Sequence, residues 1–238
     1  VRLPRANRCK RPRSKVTSTT PPPIAKPTST DVKTTEHPST GAPEHPSTLV
    51  VVPAAGRSSR FGSDKRRAVI DGVPMLERVL ALMESVATGV IVVIGAHDHD
   101  VLPDSHLVAM RTLVANPDPD RGMFSSIQIG MAEALARHAD IVLVHPADMP
   151  FVRADTIPLI VNECVRTGRA VCPRFHTKRG HPLAFPAAIA QQLLAVDPST
   201  PLNEAFAAIG LVRHELDVDD PGVLRDVDTR GDVMGVTE

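Results

Sequence analysis

Leu49-Val50-Val51-Val52-Pro53-Ala54-Ala55-Gly56-Arg57-Ser58-Ser59-Arg60-Phe61-Gly62-Ser63-Asp64-Lys65 decides how the rest of the chain is read. The aliphatic quartet that opens it, stopped by a proline, reads as a buried strand. The residues after that proline are small, glycine-containing and basic, with two arginines and a lysine. At the carboxyl end of a strand, such a loop lets backbone N–H groups approach a phosphate while side-chain cations neutralise it. It contains neither G-x-x-x-x-G-K-[ST] nor G-x-G-x-x-G, so a Walker loop and a dinucleotide-binding dehydrogenase are both disfavoured.

Downstream of this stretch, strand and helix patterns alternate. Pro74 suits a first helical position, and Met75, Leu76, Val79, Leu80, Leu82 and Met83 recur at helical spacing. Residues 90–94 form a continuous apolar strand closed by Gly95, and residues 107–115 hold a short helix end and a third strand. Asn116-Pro117-Asp118-Pro119 is a turn, residues 123–136 an amphipathic helix, 141–144 a fourth strand, 154–167 a helix and 170–172 a further strand. All-apolar strands alternating with helices predict a three-layer α/β fold, its sheet mostly parallel and covered by helices on both faces. The second half is less regular: a short strand at 183–185, helices at 186–195 and 201–209, and a late strand at 211–216. It is expected to extend the same sheet.

Upstream, the composition changes. Residues 1–48 carry nine of the 23 prolines, interleaved with Thr and Ser, and nine Lys or Arg against three acidic residues. That segment buries too little apolar surface to offset its chain entropy and is expected to be a disordered tail, leaving 49–238 as the folded domain. The tail's charge of +6 is balanced by −6 over the remainder, an asymmetry hidden by the net charge of zero. Its basic run is read as an unselected extension rather than a tether, and Val1 as an alternative start codon translated literally. Hydrophobic residues make up 42% of the chain but aromatics only 3%, so the core must be aliphatic. Cys9, Cys164 and Cys172 form no C-x-x-C pair and leave one thiol over under any bridging, which favours reduced thiols and a cytoplasmic setting. No run reaches the ~20 apolar residues of a membrane helix, and the basic N-terminus lacks the apolar core of a secretory signal.

Ligands of open parallel sheets bind beyond the carboxyl ends of the strands. Besides the 55–65 loop, the groups falling there are Asn116, Gly122-Met123, the stretch His145-Pro146-Ala147-Asp148-Met149-Pro150, Gly180-His181-Pro182 and the pair Asp226/Asp228. Placed in order, these blocks resemble the MobA-like nucleotidyltransferase family. Residues 53–65 are similar to its L-A-A-G-x-S-x-R-M-G-x-x-K signature. The likeness continues through Gly72-Val73-Pro74-Met75-Leu76, Asn116-Pro117, Gly122-Met123-Phe124-Ser125-Ser126-Ile127, Asp148-Met149-Pro150, Gly180-His181-Pro182-Leu183-Ala184-Phe185 and Asp226-Val227-Asp228-Thr229. Within the family the chain looks closest to the molybdenum cofactor cytidylyltransferases. It departs from the pattern at Phe61, where Met is usual, at Met149, where Gln is common, and at Arg66-Arg67, which add charge near the expected triphosphate.

The resemblance implies transfer of a nucleotide from an NTP to a phosphate acceptor with release of pyrophosphate. Positioning and charge neutralisation would do most of the work, without a protein nucleophile. Ala54, Ala55, Gly56, Arg57, Ser58 and Ser59 would bind the nucleotide, with Arg60 and Lys65 on the β- and γ-phosphates. Asn116, Gly122 and Ser126 would line the nucleotide site, although Ser125 and Ser126 also suit a helix N-cap. Asp148 would hold Mg2+, completed by Asp226 or Asp228, which share one face of an extended segment so that spacing does not choose between them. Gly180 and His181 would meet the second substrate. Ala-Ala-Gly stands where guanylyl-transferring relatives read Ala-Gly-Gly, and the extra methyl narrows the pocket toward a pyrimidine. By resemblance that means CTP, a molybdopterin-type acceptor, and a molybdoenzyme or its maturation chaperone as protein partner; neither nucleic acid nor membrane is expected. A sugar or other small phosphate as acceptor with a different NTP, and a non-catalytic docking module on the same fold, are the alternatives. His97 and His99 flank Asp98 without a fitting third metal ligand and are not read as a metal site.

Overall fold

The computed structural model describes residues 46–56, 61–96, 98 and 110–234. The expected tail lies outside the described residues as far as 45, as do Arg57, Ser58, Ser59 and Arg60 of the loop and both His97 and His99. Strand β1 (Thr48–Pro53) begins one residue before the domain boundary read from the sequence, so Thr48 belongs to the sheet.

Ten strands and six α-helices are formed among the described residues. After β1 come a small antiparallel hairpin, β2 (Val69–Ile70) with β3 (Val73–Pro74), then helix α1 (Met75–Glu84) and β4 (Gly89–Gly95). Next are β5 (Arg111–Asn116), α2 (Met123–Ala136), β6 (Ile141–Val144) and α3 (Thr156–Thr167). The second half adds β7 (Val171–Phe175), β8 (Lys178–Arg179), β9 (Leu183–Pro186), α4 (Ala187–Leu193), α5 (Leu202–Ala208), β10 (His214–Asp217) and α6 (Arg230–Met234). The main sheet runs β10-β7-β9-β6-β1-β4-β5, with β8 paired to β7. Strands β5, β4, β1 and β6 are mutually parallel, and β10 is parallel to β7. The second half does extend the sheet, but β9 inserts antiparallel between β6 and β7, which makes the sheet mixed rather than wholly parallel. The β7–β8 hairpin reverses the chain before β9, with His176 in the left-handed region at φ 53°.

Alternation along the buried strands builds the two faces. Val50, Val52, Val90, Val92 and Leu143 pack with Leu76, Val79, Leu80 and Met83 of α1 and with Ile157, Ile160 and Cys164 of α3. Leu49, Val51, Ile91, Val93 and Val144 face the other way, against Phe124, Ile127 and Met131 of α2, and against α4 and α5. Three layers result. Gly130 brings α2 onto β1 and β4, because a Cβ there would drive into Val51 Cγ1 and press on Val93. Helix α3 ends on Gly168 in the left-handed region (φ 64°), whose N–H donates to Cys164 O at 2.8 Å.

Strand order reverses at β1: the chain moves from β1 outward to β4 and β5, then returns to β6 on the other side. Such a switch point leaves a crevice beyond the strand ends, since the loops there diverge to opposite faces. Ala54–Gly56 follow β1 into this crevice, and Pro146–Asp148 follow β6.

Candidate active site

The crevice is a cleft of about 310 Å³. Ala54, Ala55 and Gly56 form one wall, Gly122, Met123 and Ser126 a second, and Lys65, Asp148 and Asp228 a third. A 3₁₀ turn, Lys65–Arg67, carries the lysine; Asp64 caps it by accepting from Arg66 N at 3.1 Å. Lys65 Nζ donates to Asp148 Oδ2 at 2.7 Å, to Val227 O at 3.3 Å and to Asp228 Oδ1 at 3.4 Å. Burial opposes the lysine's charge, but hydrogen bonds and Coulomb attraction to Asp148 and then Asp228 outweigh it and hold the pKa above its ordinary value. Lys65 is therefore a permanent cation within an oxygen-only cradle.

The acidic C-terminal segment is tied to the cleft at two points. Val227 N donates to Asp148 O at 2.8 Å. Asp220, buried, accepts from Arg153 N at 2.9 Å and Thr156 Oγ1 at 2.7 Å through Oδ2, and from Gly222 N at 2.9 Å through Oδ1. This fastens the segment to the start of α3. Val227 points into the core, while Asp228 lines the cleft and Asp226 is exposed outside its lining. Tertiary packing thus separates two aspartates that spacing left equivalent.

The second wall rests on Asn116, which is buried at the end of β5. Its Nδ2 donates to Ser125 Oγ and to Ser126 Oγ, each at 2.9 Å, and its Oδ1 accepts from Asp118 N at 2.9 Å. Asn116 does not line the cleft; it is a strut behind Ser126, which does. Helix α2 begins at Met123 with Gly122 (φ 105°) before it, so neither serine is the N-cap. Ser125 instead donates to Gly122 O at 2.7 Å.

Gly180 and His181 lie apart from the cleft lining. Gly180 is pressed against the Val223 backbone, where a Cβ would not fit, and His181 N donates to Val223 O at 2.9 Å. The His181 ring is held toward neutrality by burial, against the opposing influence of the Val144 backbone and the Asp148 charge. His145, wholly buried at the end of β6, bonds Met149 O through Nε2 at 2.9 Å; burial pushes its pKa down to about 3. That neutral imidazole braces the turn presenting Asp148.

Arg66 does not add free charge to the cleft. Its guanidinium is shared between Asp64, Ala54 O and Asp98. Asp98 carried no sequence signal as its partner, whereas Phe61 and Met75, which also line the cleft, fall within the family-like blocks at 53–65 and 72–76. The β2–β3 hairpin did carry one: Asp71-Gly72, with φ of 49° and 81°, is the dipeptide that two-residue hairpin turns prefer. Cys164 and Cys172 are free and buried, and burial raises the Cys164 thiol to about 12. No helix among the described residues is long and apolar enough to cross a membrane.

A parallel core with a cleft of small-molecule size at its switch point, faced by a lysine and two carboxylates, is the architecture of nucleotide-handling α/β proteins. Residues 50–214 match the family described as MobA-like NTP transferase domain, and the chain belongs to that family. It is 31% identical over 145 residues to a molybdenum cofactor guanylyltransferase of Sinorhizobium fredii, covering 60% of this chain and 65% of that protein. It is 35% identical over 140 residues to a 2-C-methyl-D-erythritol 4-phosphate cytidylyltransferase of Streptomyces avermitilis, covering 56% and 55%. The match therefore spans less than two thirds of either relative's length. In fold it is similar to Rv0371c of Mycobacterium tuberculosis, with TM-score 0.67 and 22% identity over 80% of this chain and 96% of that one. Rv0371c has also been solved in complex with manganese (TM-score 0.63, 21% identity, 80% and 97% covered).

Proposed function

We propose that this protein transfers CMP from CTP to the phosphate of a molybdopterin-type acceptor, releasing pyrophosphate. The observation that carries the reading is the meeting of Lys65, Asp148 and Asp228, from three distant segments, at the cleft beyond β1 and β6. An acceptor phosphate oxygen would attack the α-phosphorus in line; the bond to the α–β bridging oxygen breaks, and pyrophosphate leaves with that oxygen. Backbone amides from Ala55 onward would hold the phosphates, and Lys65, turning from Asp148 to the triphosphate, would neutralise charge gathering on the leaving group. Arg60 would join it, with Arg57, Ser58 and Ser59 completing the phosphate loop and Gly180 and His181 placed toward the acceptor.

Asp148, Asp228 and the Val227 carbonyl fit a hard divalent ion, because these oxygens already gather around a cation, the Lys65 ammonium. Asp148 and Asp228 would hold Mg2+ there, and the ion would supply positive charge to offset that of the phosphates. A protein of similar fold, Rv0371c, has been solved in complex with manganese, which fits the proposal of a divalent ion here.

Ala55 places a methyl on the wall expected to meet the base, which favours the smaller pyrimidine. A second reading, with a small phosphorylated polyol as acceptor, is favoured by the identity to the methylerythritol phosphate cytidylyltransferase. The experiment is a screen of four NTPs with Mg2+ against molybdopterin and 2-C-methyl-D-erythritol 4-phosphate, reading pyrophosphate and equilibrium nucleotide binding. CTP with molybdopterin is the expected pair. Tighter binding of GTP than CTP would overturn the base assignment.

A further inference from the structure

Arg66 is nearly enclosed, its side chain 9% exposed, and its Nε, Nη1 and Nη2 are all committed. Nη1 donates to Ala54 O at 2.6 Å and to Asp98 Oδ2 at 2.8 Å; Nε and Nη2 donate to the two oxygens of Asp64 at 2.7 and 3.0 Å. These partners have a common logic. Ala54 is where β1 hands over to the phosphate loop, its N–H still bonded to Val93 O at 2.7 Å. Asp64 is where the loop ends and the turn bearing Lys65 begins. Asp98 lies just beyond β4, and its carboxylate fits there because residue 95 is glycine: a Cβ would stand 2.9 Å from Asp98 Oδ2.

We infer that Arg66 is a positioning residue, a staple that joins the two ends of the 55–64 loop to each other and to the end of β4 before nucleotide arrives. The inference rests on the nucleotidyl-transfer reading of the cleft. Two carboxylates balance the Arg66 charge, so its contribution to affinity comes through geometry rather than through a free cation offered to phosphate. Holding Ala54, Asp64 and Asp98 together fixes where β1 ends and where the turn bearing Lys65 begins before ligand arrives, and a site that is competent only part of the time binds more weakly by that fraction. The bidentate grip on Asp64, held while Nη1 reaches Ala54 O and Asp98, uses donors spread over three nitrogens of a planar fork, which the single nitrogen of an ammonium does not offer.

The test uses the full chain with Arg66→Met, Arg66→Lys, Asp98→Asn, the double variant Arg66→Met/Asp98→Asn, and Lys65→Ala as reference. Hydrogen exchange of peptides covering 55–64 is followed without nucleotide, and binding of Mg·CTP and steady-state turnover are measured. Loss of the staple should speed exchange of this loop and raise KM for the nucleotide by roughly tenfold, with kcat held within about threefold. Asp98→Asn should reproduce Arg66→Met, the double variant should be no worse than the weaker single, and Arg66→Lys should not rescue. Lys65→Ala should instead lower kcat and leave loop exchange unchanged. Tighter nucleotide binding by Asp98→Asn would show Arg66 to be a phosphate ligand, and full rescue by Arg66→Lys would show that charge alone matters; either overturns the inference. If the wild-type protein binds no NTP, the functional reading fails, and loop exchange alone then decides whether Arg66 is a staple.

Discussion

Lys65 Nζ lies 2.7 Å from Asp148 Oδ2, joining residues 83 apart in sequence across the mouth of the cleft. The lysine stands on the turn after β1, the aspartate on the turn after β6, and parallel pairing of those strands makes the two turns neighbours. Their side chains are 18% and 20% exposed, so the pair is largely shielded from water: its Coulomb attraction is offset by the cost of desolvating both charges, and removing one partner leaves the other uncompensated. Its consequence is chemical. Asp148→Asn and Lys65→Ala should each lower pyrophosphate release by roughly 10²–10³-fold, the scale of a lost transition-state charge contact. Melting curves recorded alongside separate loss of turnover from loss of fold, and near-normal turnover by a variant would remove that residue from the mechanism.

The same pair makes a prediction about metal. Because the Lys65 ammonium occupies the oxygen cradle of Asp148, Val227 and Asp228, it would compete with the proposed divalent ion for that position. In nucleotide-free protein, Lys65→Ala should tighten Mn2+ binding by roughly tenfold, the scale of a neighbouring charge removed. Asp228→Asn should weaken it. Electron paramagnetic resonance of free Mn2+ reads both, and equal affinities in wild type and Lys65→Ala would show that the lysine and the ion do not share the cradle.

A buried neutral histidine links stability to pH. His145 has a folded pKa of about 3 against 6.5 unfolded, so between those values the unfolded chain binds a proton that the folded protein refuses. The unfolded state gains as pH falls, and stability should drop by roughly 1.4 kcal/mol per unit below about pH 6 on account of His145. His181, also shifted down, adds in the same direction. His145→Gln should flatten this slope in urea titrations from about pH 7 to about pH 4.5, the window below the unfolded pKa. An unchanged slope would place the acid sensitivity elsewhere.

Close contact of α2 with the sheet depends on Gly130. Gly130→Ala puts a methyl into Val51 and Val93, and overpacking of this kind should cost about 1–3 kcal/mol in chemical denaturation. Val51→Ala makes room, so the double variant should recover part of the loss. Strict additivity would mean that the two side chains do not meet.

The sequence by itself determined the buried strands and most of the helices, because their evidence is local: β1, β4 and β6 are continuous aliphatic runs, and α1 and α3 show their apolar faces at helical spacing. It also marked the basic loop, Asp148 and the acidic pair by position at strand ends. The two-residue strand β8 has both residues exposed and leaves no period to read. The antiparallel insertion of β9, the choice of Asp228 over Asp226 to line the cleft, the retreat of Asn116 behind Ser126, and the pairing of Arg66 with Asp98 were decided only by the tertiary structure. Each depends on which distant segment a side chain meets once the sheet has closed, and no spacing along the chain encodes that distance.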